Sequence, residues 1–159
     1  MSLSIRPVNA DNWRAIIALE PKPEQAHLIE PNAVSILESF FDRDLKWKCY
    51  GLYEGDVPVG FLMIGARSYI ERYIWLDRFM LDAAYQGDGR GQQFLESIVA
   101  FISENFFVKT IKTSMKAENT HVKHLYKSVG FEATGTIDPE FDEEVWVYDV
   151  KKNQKKRTR

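Results

Sequence analysis

The sequence predicts a mixed α/β single domain built around a central sheet. Strand-like and helix-like stretches alternate along the chain in the order strand, two helices, three strands, helix, strand, helix, two strands. A length of 159 residues fits one domain and leaves little room for a second. With 45% hydrophobic and 13% aromatic residues, the chain can bury a sizeable core.

Each element has a local cause. Residues 3–8 alternate apolar and polar side chains, the period of a half-buried strand. Asp11 or Asn12 can cap a following helix that carries Trp13, Ile16 and Ile17 on one face, and Pro21 and Pro23 end it. Pro31, with its fixed φ, suits the first turn of a second helix running to about Phe41. Residues 47–53 and 57–64 flank Glu54-Gly55-Asp56, a hairpin signature. Residues 72–81 are rich in aromatic and branched side chains and predict another strand. After residues 86–91, Phe94, Leu95, Ile98, Val99, Ile102 and Phe106 recur at helical spacing. Residues 109–115 predict a strand and 119–128 a short helix stopped by Gly130; 131–137 and 145–150 close the domain as two strands.

Composition excludes several classes of function. The last nine residues hold six Lys/Arg and no acid, leaving 15 basic against 23 acidic residues in 1–150, a net of −8. An acidic domain repels nucleic acid and favours a neutral or cationic partner. The basic tail, 151–159, has no apolar residues to anchor it and is expected to lack fixed structure, so its removal should leave folding intact. Cys49 is the only cysteine, which rules out an intramolecular disulfide or a Cys-based metal site, and its strand position reads as a packed thiol. His27, His121 and His124 have no metal-ligand spacing, so no metal is expected. The longest weakly polar stretch, 57–66, is too short to cross a bilayer, and Arg6, Asp11 and Arg14 stand where a signal peptide needs an apolar run. The expected location is cytoplasmic, with no membrane and no nucleic-acid partner.

Gly87, Gly89 and Gly91 alternate between a strand and a helix. Glycine there lets the backbone turn tightly and approach a ligand, while the helix start offers free N–H groups and a positive dipole end to a pyrophosphate. Position 92 is Gln where a dinucleotide fingerprint needs Gly, and the Gly-Lys-Ser/Thr of a Walker loop is absent. A plain surface loop is the other reading of a lone glycine triplet.

The surrounding pattern goes further. Gln86-x-x-Gly89-x-Gly91 resembles the Q/R-x-x-G-x-G/A motif of the GNAT acetyltransferase superfamily, set between strand and helix as in that family. A second block, Asn119-x-x-Val122-x-x-Leu125-Tyr126-x-x-x-Gly130-Phe131, resembles the family's N-x-x-A-x-x-L-Y-x-x-x-G-F, with Val122 in place of Ala. The likeness covers residues 3–150 and implies a mostly antiparallel, splayed sheet flanked by helices, acetyl-CoA as cosubstrate and an N-acetyltransferase activity. It implies that the backbone of Gly87, Asp88, Gly89, Arg90 and Gly91, flanked by Gln86 and Gln92, binds the coenzyme A pyrophosphate. It also implies that Phe79, Met80 and Leu81 pair with the pantetheine arm and that Asn119 reaches the same arm. The Arg90 side chain either meets a phosphate or is a solvated surface group.

Tyr126 matches the family's Leu-Tyr pair and is the candidate acid that protonates the departing thiolate; its other reading is a core aromatic. Asp77 is the candidate that orients and deprotonates the amine, directly or through water, or else a surface acid paired with Arg72 or Arg78. Strand alternation sets it on the face of Phe79 and Leu81 unless a bulge intervenes. The stretch Leu76-Asp77-Arg78-Phe79 is similar to the Leu-acid-acid-Phe of the spermidine/spermine N-acetyltransferases, with Arg78 replacing the second acid. Asp138, Glu140, Asp142, Glu143 and Glu144 read as a solvated hairpin loop. The expected acceptor is a polyamine; a protein N-terminus, a lysine, an aminoglycoside, or a non-catalytic acetyl-CoA-binding domain are the alternatives. The resemblance also implies a homodimer.

Overall fold

The computed structural model describes residues 2–157. Seven strands form one open sheet in the order β1-β2-β3-β4-β5-β7-β6: β1 Leu3–Pro7, β2 Lys48–Glu54, β3 Val57–Ser68, β4 Tyr73–Leu81, β5 Thr110–Met115, β6 Glu132–Asp138 and β7 Glu143–Asp149. Helices α1 Trp13–Ile17 and α2 Asn32–Phe41 precede β2; α3 Arg90–Asn105 and α4 Thr120–Val129 flank β5; α5 Val150–Arg157 ends the described chain. Three short 3-10 turns, Pro23–Leu28, Arg43–Leu45 and Ala83–Tyr85, were not legible from periodicity.

The two faces of the sheet bury different cores. On one, Phe94, Leu95, Ile98, Val99 and Ile102 of α3 and Tyr126 of α4 pack on Leu52, Leu62, Ile74, Leu76 and Leu81. Each such buried side chain contributes about 1.5–3 kcal/mol. On the other, Ile16 of α1 meets Phe61, Met63 and Met80, with Ile36 of α2 against them.

Every neighbouring pair is antiparallel except β4 and β5, which run parallel for only three pairs, Tyr73↔Thr110, Ile74↔Ile111 and Trp75↔Lys112. Beyond Trp75 the two strands part, and the rest of β4 has no ladder on that side. This split is the splay that the family resemblance implied.

A bulge in β4 resets its alternation. Phe61 pairs with Met80 and Met63 with Asp77, so Arg78 and Phe79 together face the single residue Leu62. Arg78 takes the left-handed conformation, φ +58°, that the extra residue demands. Asp77 therefore shares the face of its cross-strand partner Met63 and of Met80, opposite to Phe79 and Leu81. Simple alternation would have put all three on one side, and the bulge corrects that expectation.

The basic tail also departs from expectation, being helical to Arg157; residues 158–159 lie outside the described residues. The anchors are polar rather than apolar. Asp149 Oδ1 accepts from Lys152 N at 2.8 Å as a helix cap, and Lys152 Nζ pairs with Glu132 Oε1 at 2.7 Å. Buried Asn153 donates to the Asp149 carbonyl at 2.8 Å and sits over Gly130, the stop of α4.

Candidate active site

The glycine loop begins where Asp82 caps the turn Ala83–Tyr85. Gly87, Asp88 and Gly89 then take φ values of +97°, +55° and +75° in succession. A Cβ at Gly87 or Gly89 would meet nothing within 4 Å, so glycine is needed there for its backbone freedom rather than for space. Gly91 differs: it has no positive φ, and a Cβ there would make only ordinary contact with Leu125, at 3.4 Å. Arg90 N donates to Gly87 O at 3.1 Å and Gln93 N to Gly89 O at 3.0 Å. The Gly91 and Gln92 N–H groups of the first turn are left for a ligand, along the positive end of a 16-residue helix.

The gap between β4 and β5 opens into a cleft of about 1390 Å³. Of the residues expected at the cofactor, Phe79, Met80, Leu81, Gln86, Gly87, Gly89, Gly91, Gln92 and Asn119 line it. So do both candidate catalytic residues, Asp77 and Tyr126. A loop with free N–H groups beside an unladdered strand edge fits a pyrophosphate joined to an amide-bearing arm.

Asp88 and Arg90 do not line the cleft. The Arg90 side chain turns away to Glu54, Nε to Oε1 3.1 Å, a carboxylate only 6% exposed at the end of β2. Its guanidinium also lies 5.8 Å from the Tyr85 ring. Neither reading made from the sequence, phosphate ligand or solvated group, describes it: Arg90 neutralises a buried acid and ties the loop to the sheet. Gln86 likewise spends its carboxamide on the protein, donating to Leu81 O at 2.9 Å and pairing with Gln25. Asn119 caps α4 through Oδ1, which accepts from Val122 N at 3.4 Å, so Nδ2 is the group it has left for a ligand.

Tyr126 comes from the α4 face and Asp77 from the α1–α2 face, and the split lets both reach one cleft. Tyr126 is 5% exposed, meets Phe131 edge-on at 4.9 Å between centroids and lies beside the Thr113 side chain. Its backbone is held as well, since its carbonyl accepts from both Gly130 N and Phe131 N. Burial raises the phenol's pKa above its ordinary value, with the Asp77 charge adding to the effect, so Tyr126 keeps its proton. Burial pushes Asp77 up from 3.8 to about 7; Arg78 pulls it down, while Glu143, Glu38 and Asp138 push it further up.

Arg78, which takes the place of the second acid of the polyamine-type pattern, is fixed by α2. Its Nη1 donates to Ser35 Oγ at 2.9 Å and its Nη2 pairs with Glu38 Oε2 at 3.2 Å. Asp138, Glu140 and Glu143 of the β6–β7 hairpin line the same cleft, and Glu143 accepts from Ser114 Oγ at 2.8 Å. Read from sequence as a solvated loop, these acids belong to the site wall. Thr113, Ser35 and Gln25 were missed altogether, because their partners are remote in the chain. Cys49 is half-buried against α2, its thiol pushed up by burial as a packed thiol is. Among the described residues, no group of three or more His, Cys, Asp or Glu is placed to hold a metal, and no helix is long and apolar enough to cross a membrane.

A sheet parted beside a glycine-loop helix start, with a buried phenol facing the gap, is the arrangement that the resemblance to the acetyltransferases implied. The family model for the acetyltransferase (GNAT) domain matches residues 46–133. The chain is 34% identical over 148 residues to the spermine/spermidine N(1)-acetyltransferase of Bacillus subtilis (strain 168), covering 87% of this chain and 93% of that one. Identity is also 34%, at the same coverage, to the probable spermine N(1)-acetyltransferase of Bacillus subtilis subsp. natto (strain BEST195). Among solved structures, it superposes with a TM-score of 0.77 on the spermidine N-acetyltransferase of Vibrio cholerae in complex with CoA and spermine. That likeness, at 17% identity over 96% of this chain and 98% of the other, shows the shared fold. The chain belongs to the GNAT acetyltransferase family and is an N-acetyltransferase that uses acetyl-CoA.

Proposed function

We propose that this enzyme acetylates a primary amine of a polyamine such as spermidine or spermine. The observation that carries the reading is Asp77, held near neutrality in the same cleft as Tyr126 and walled by Asp138, Glu140 and Glu143. The carboxylates of Asp77, Asp138, Glu140 and Glu143 in one cleft suit a polycation, and a named polyamine acetyltransferase at 34% identity supports the same acceptor.

Bound acetyl-CoA supplies a thioester carbonyl open to attack. The Gly91 and Gln92 N–H groups, with the backbone of 87–89, hold its pyrophosphate. The edge of Phe79, Met80 and Leu81 takes the amide-bearing arm, with Asn119 Nδ2 beside it. An alkylamine with a pKa of roughly 10 is charged at neutral pH and must lose a proton to attack. Asp77, at about 7, is a better acceptor of that proton than a carboxylate at 3.8, either directly or through one water. As the nitrogen bonds to the acyl carbon and the C–S bond breaks, Tyr126 donates its proton to the departing thiolate and regains one from the acylated nitrogen.

Residues 1–150 form the catalytic domain in this reading, with α5 packed onto it. A homodimer fits the outer face of α2, where Leu37, Phe40 and Phe41 are exposed. A cytoplasmic location fits a chain whose one cysteine forms no intramolecular disulfide. The test is release of free thiol from acetyl-CoA across polyamines, aminoglycosides, amino acids and peptides. Spermidine and spermine are expected to give the highest kcat/KM; preference for a peptide or an aminoglycoside overturns the reading.

A further inference from the structure

The segment from Glu20 to Glu30, part of which lines the cleft, is hydrogen-bonded to the connection that leads into the glycine loop. Glu20 N donates to Asp82 Oδ1 at 3.0 Å, and Ala83 N donates back to Glu20 O at 2.9 Å. Further along, two carboxamides bond reciprocally across 61 positions: Gln25 Nε2 to Gln86 Oε1 at 3.0 Å and Gln86 Nε2 to Gln25 Oε1 at 2.8 Å. Gln25 Oε1 also accepts from Lys22 N at 3.1 Å, and Gln25 N donates to Lys22 O at 2.8 Å, so the side chain that grips Gln86 also folds its own turn. Glu24, His27 and Glu30, from the same short stretch, line the cleft.

We infer that the Gln25–Gln86 pair couples the two halves of the site, so that filling the glycine loop orders the acceptor wall. Gln86 immediately precedes the loop, and its carboxamide is already held by Leu81 O. Fixing Gly87–Gln92 around a pyrophosphate therefore fixes Gln86, and through it Gln25 and the turn Pro23–Leu28. That turn has no buried residue of its own; besides these ties it is held by Lys116 Nζ, which donates to His27 O at 3.2 Å, so polar contacts rather than packing set its order. Coupling of this kind is reciprocal: an acceptor resting on the ordered wall tightens the cofactor by the same factor. Gln25 is a positioning residue here; it touches neither reacting group. The inference rests on the proposed cofactor site, and its acceptor consequence rests on the proposed function.

The test uses Gln25→Met, which keeps side-chain length and removes both carboxamide bonds. Amide hydrogen exchange is followed with CoA alone, so the outcome does not depend on which amine is the substrate. In the native enzyme, CoA is expected to slow exchange over residues 22–28 by about fivefold or more, at the lower end of ordinary site-to-site coupling. In Gln25→Met that protection should fall to about twofold or less, while amides 89–92 remain protected as in the native enzyme. Gln25→Glu, which can still accept from Gln86 but cannot donate to it, should fall between. Equal protection of 22–28 in native and Gln25→Met overturns the coupling, as does its absence from the native enzyme when 89–92 are protected. Failure of 89–92 to respond to CoA strikes the cofactor site instead, and a non-polyamine result in thiol release strikes only the acceptor.

Discussion

Replacing Asp77 with asparagine should make the enzyme more stable and less active at the same time. In the unfolded chain this carboxyl ionises near 3.8, and in the folded chain near 7, because burial disfavours its charge. A folded-state pKa raised above the unfolded one contributes stability that is complete below about 4 and lost as pH rises through about 7. At 1.36 kcal/mol for each pK unit, the loss amounts to roughly 4 kcal/mol by pH 8. Asparagine carries no charge at any pH and escapes the penalty. The stability gap between Asp77→Asn and native enzyme, from urea unfolding, should widen by roughly 2–3 kcal/mol between pH 5 and pH 8. Activity moves the other way: turnover should fall about 100-fold or more as a positioned base is lost, KM for spermidine should rise, and acetyl-CoA affinity should stay nearly unchanged. Native kcat/KM should climb through about pH 7, far below the amine's own ionisation near 10, and that limb should vanish in the variant. A variant that is kinetically silent, or whose stability advantage does not grow with pH, refutes the reasoning.

Other perturbations test the remaining parts. Tyr126→Phe should keep acetyl-CoA affinity and lower turnover by about 10- to 100-fold, measured by thiol release at saturating substrates; an unchanged rate would mean that the phenol only packs. Gly89→Glu should abolish acetyl-CoA binding in calorimetry, because it forces a side chain to φ +75° and sets a carboxylate beside the pyrophosphate position. Removal of residues 151–159 should lower stability by about 1–2 kcal/mol in a urea titration, since it strips Asn153 from Gly130 and Lys152 from Glu132. Added salt should weaken the apparent affinity for spermidine more than that for a singly charged amine, read from KM at rising ionic strength.

The parts of this enzyme legible in its sequence are those set by local chemistry. The apolar–polar alternation of β1, the apolar stripe of α3, Asn119 and Gly130 at the ends of α4, and the glycines at 87, 89 and 91 all act within a few residues of themselves. From these, and from the two motifs they belong to, the order of elements, the family and the cosubstrate followed without coordinates. What only the tertiary structure decided depends on partners far apart in the chain. The bulge at Arg78 exists because β3 offers one residue, Leu62, where β4 supplies two, and no window on β4 alone shows that mismatch. It turns Asp77 to the opposite face from Phe79, while burial and the hairpin acids raise its pKa, so the chemistry expected of that residue needed the fold. Arg90 met Glu54 from β2 rather than a phosphate, and Gln86 met Gln25. The tail became helical through Asp149, Glu132 and Asn153, polar anchors that a reading based on apolar periodicity passes over. Hydrophobic pattern specifies elements because burial is non-directional and repeats with the backbone. Hydrogen bonds and ion pairs need a particular partner at a particular place, and only the assembled chain supplies it.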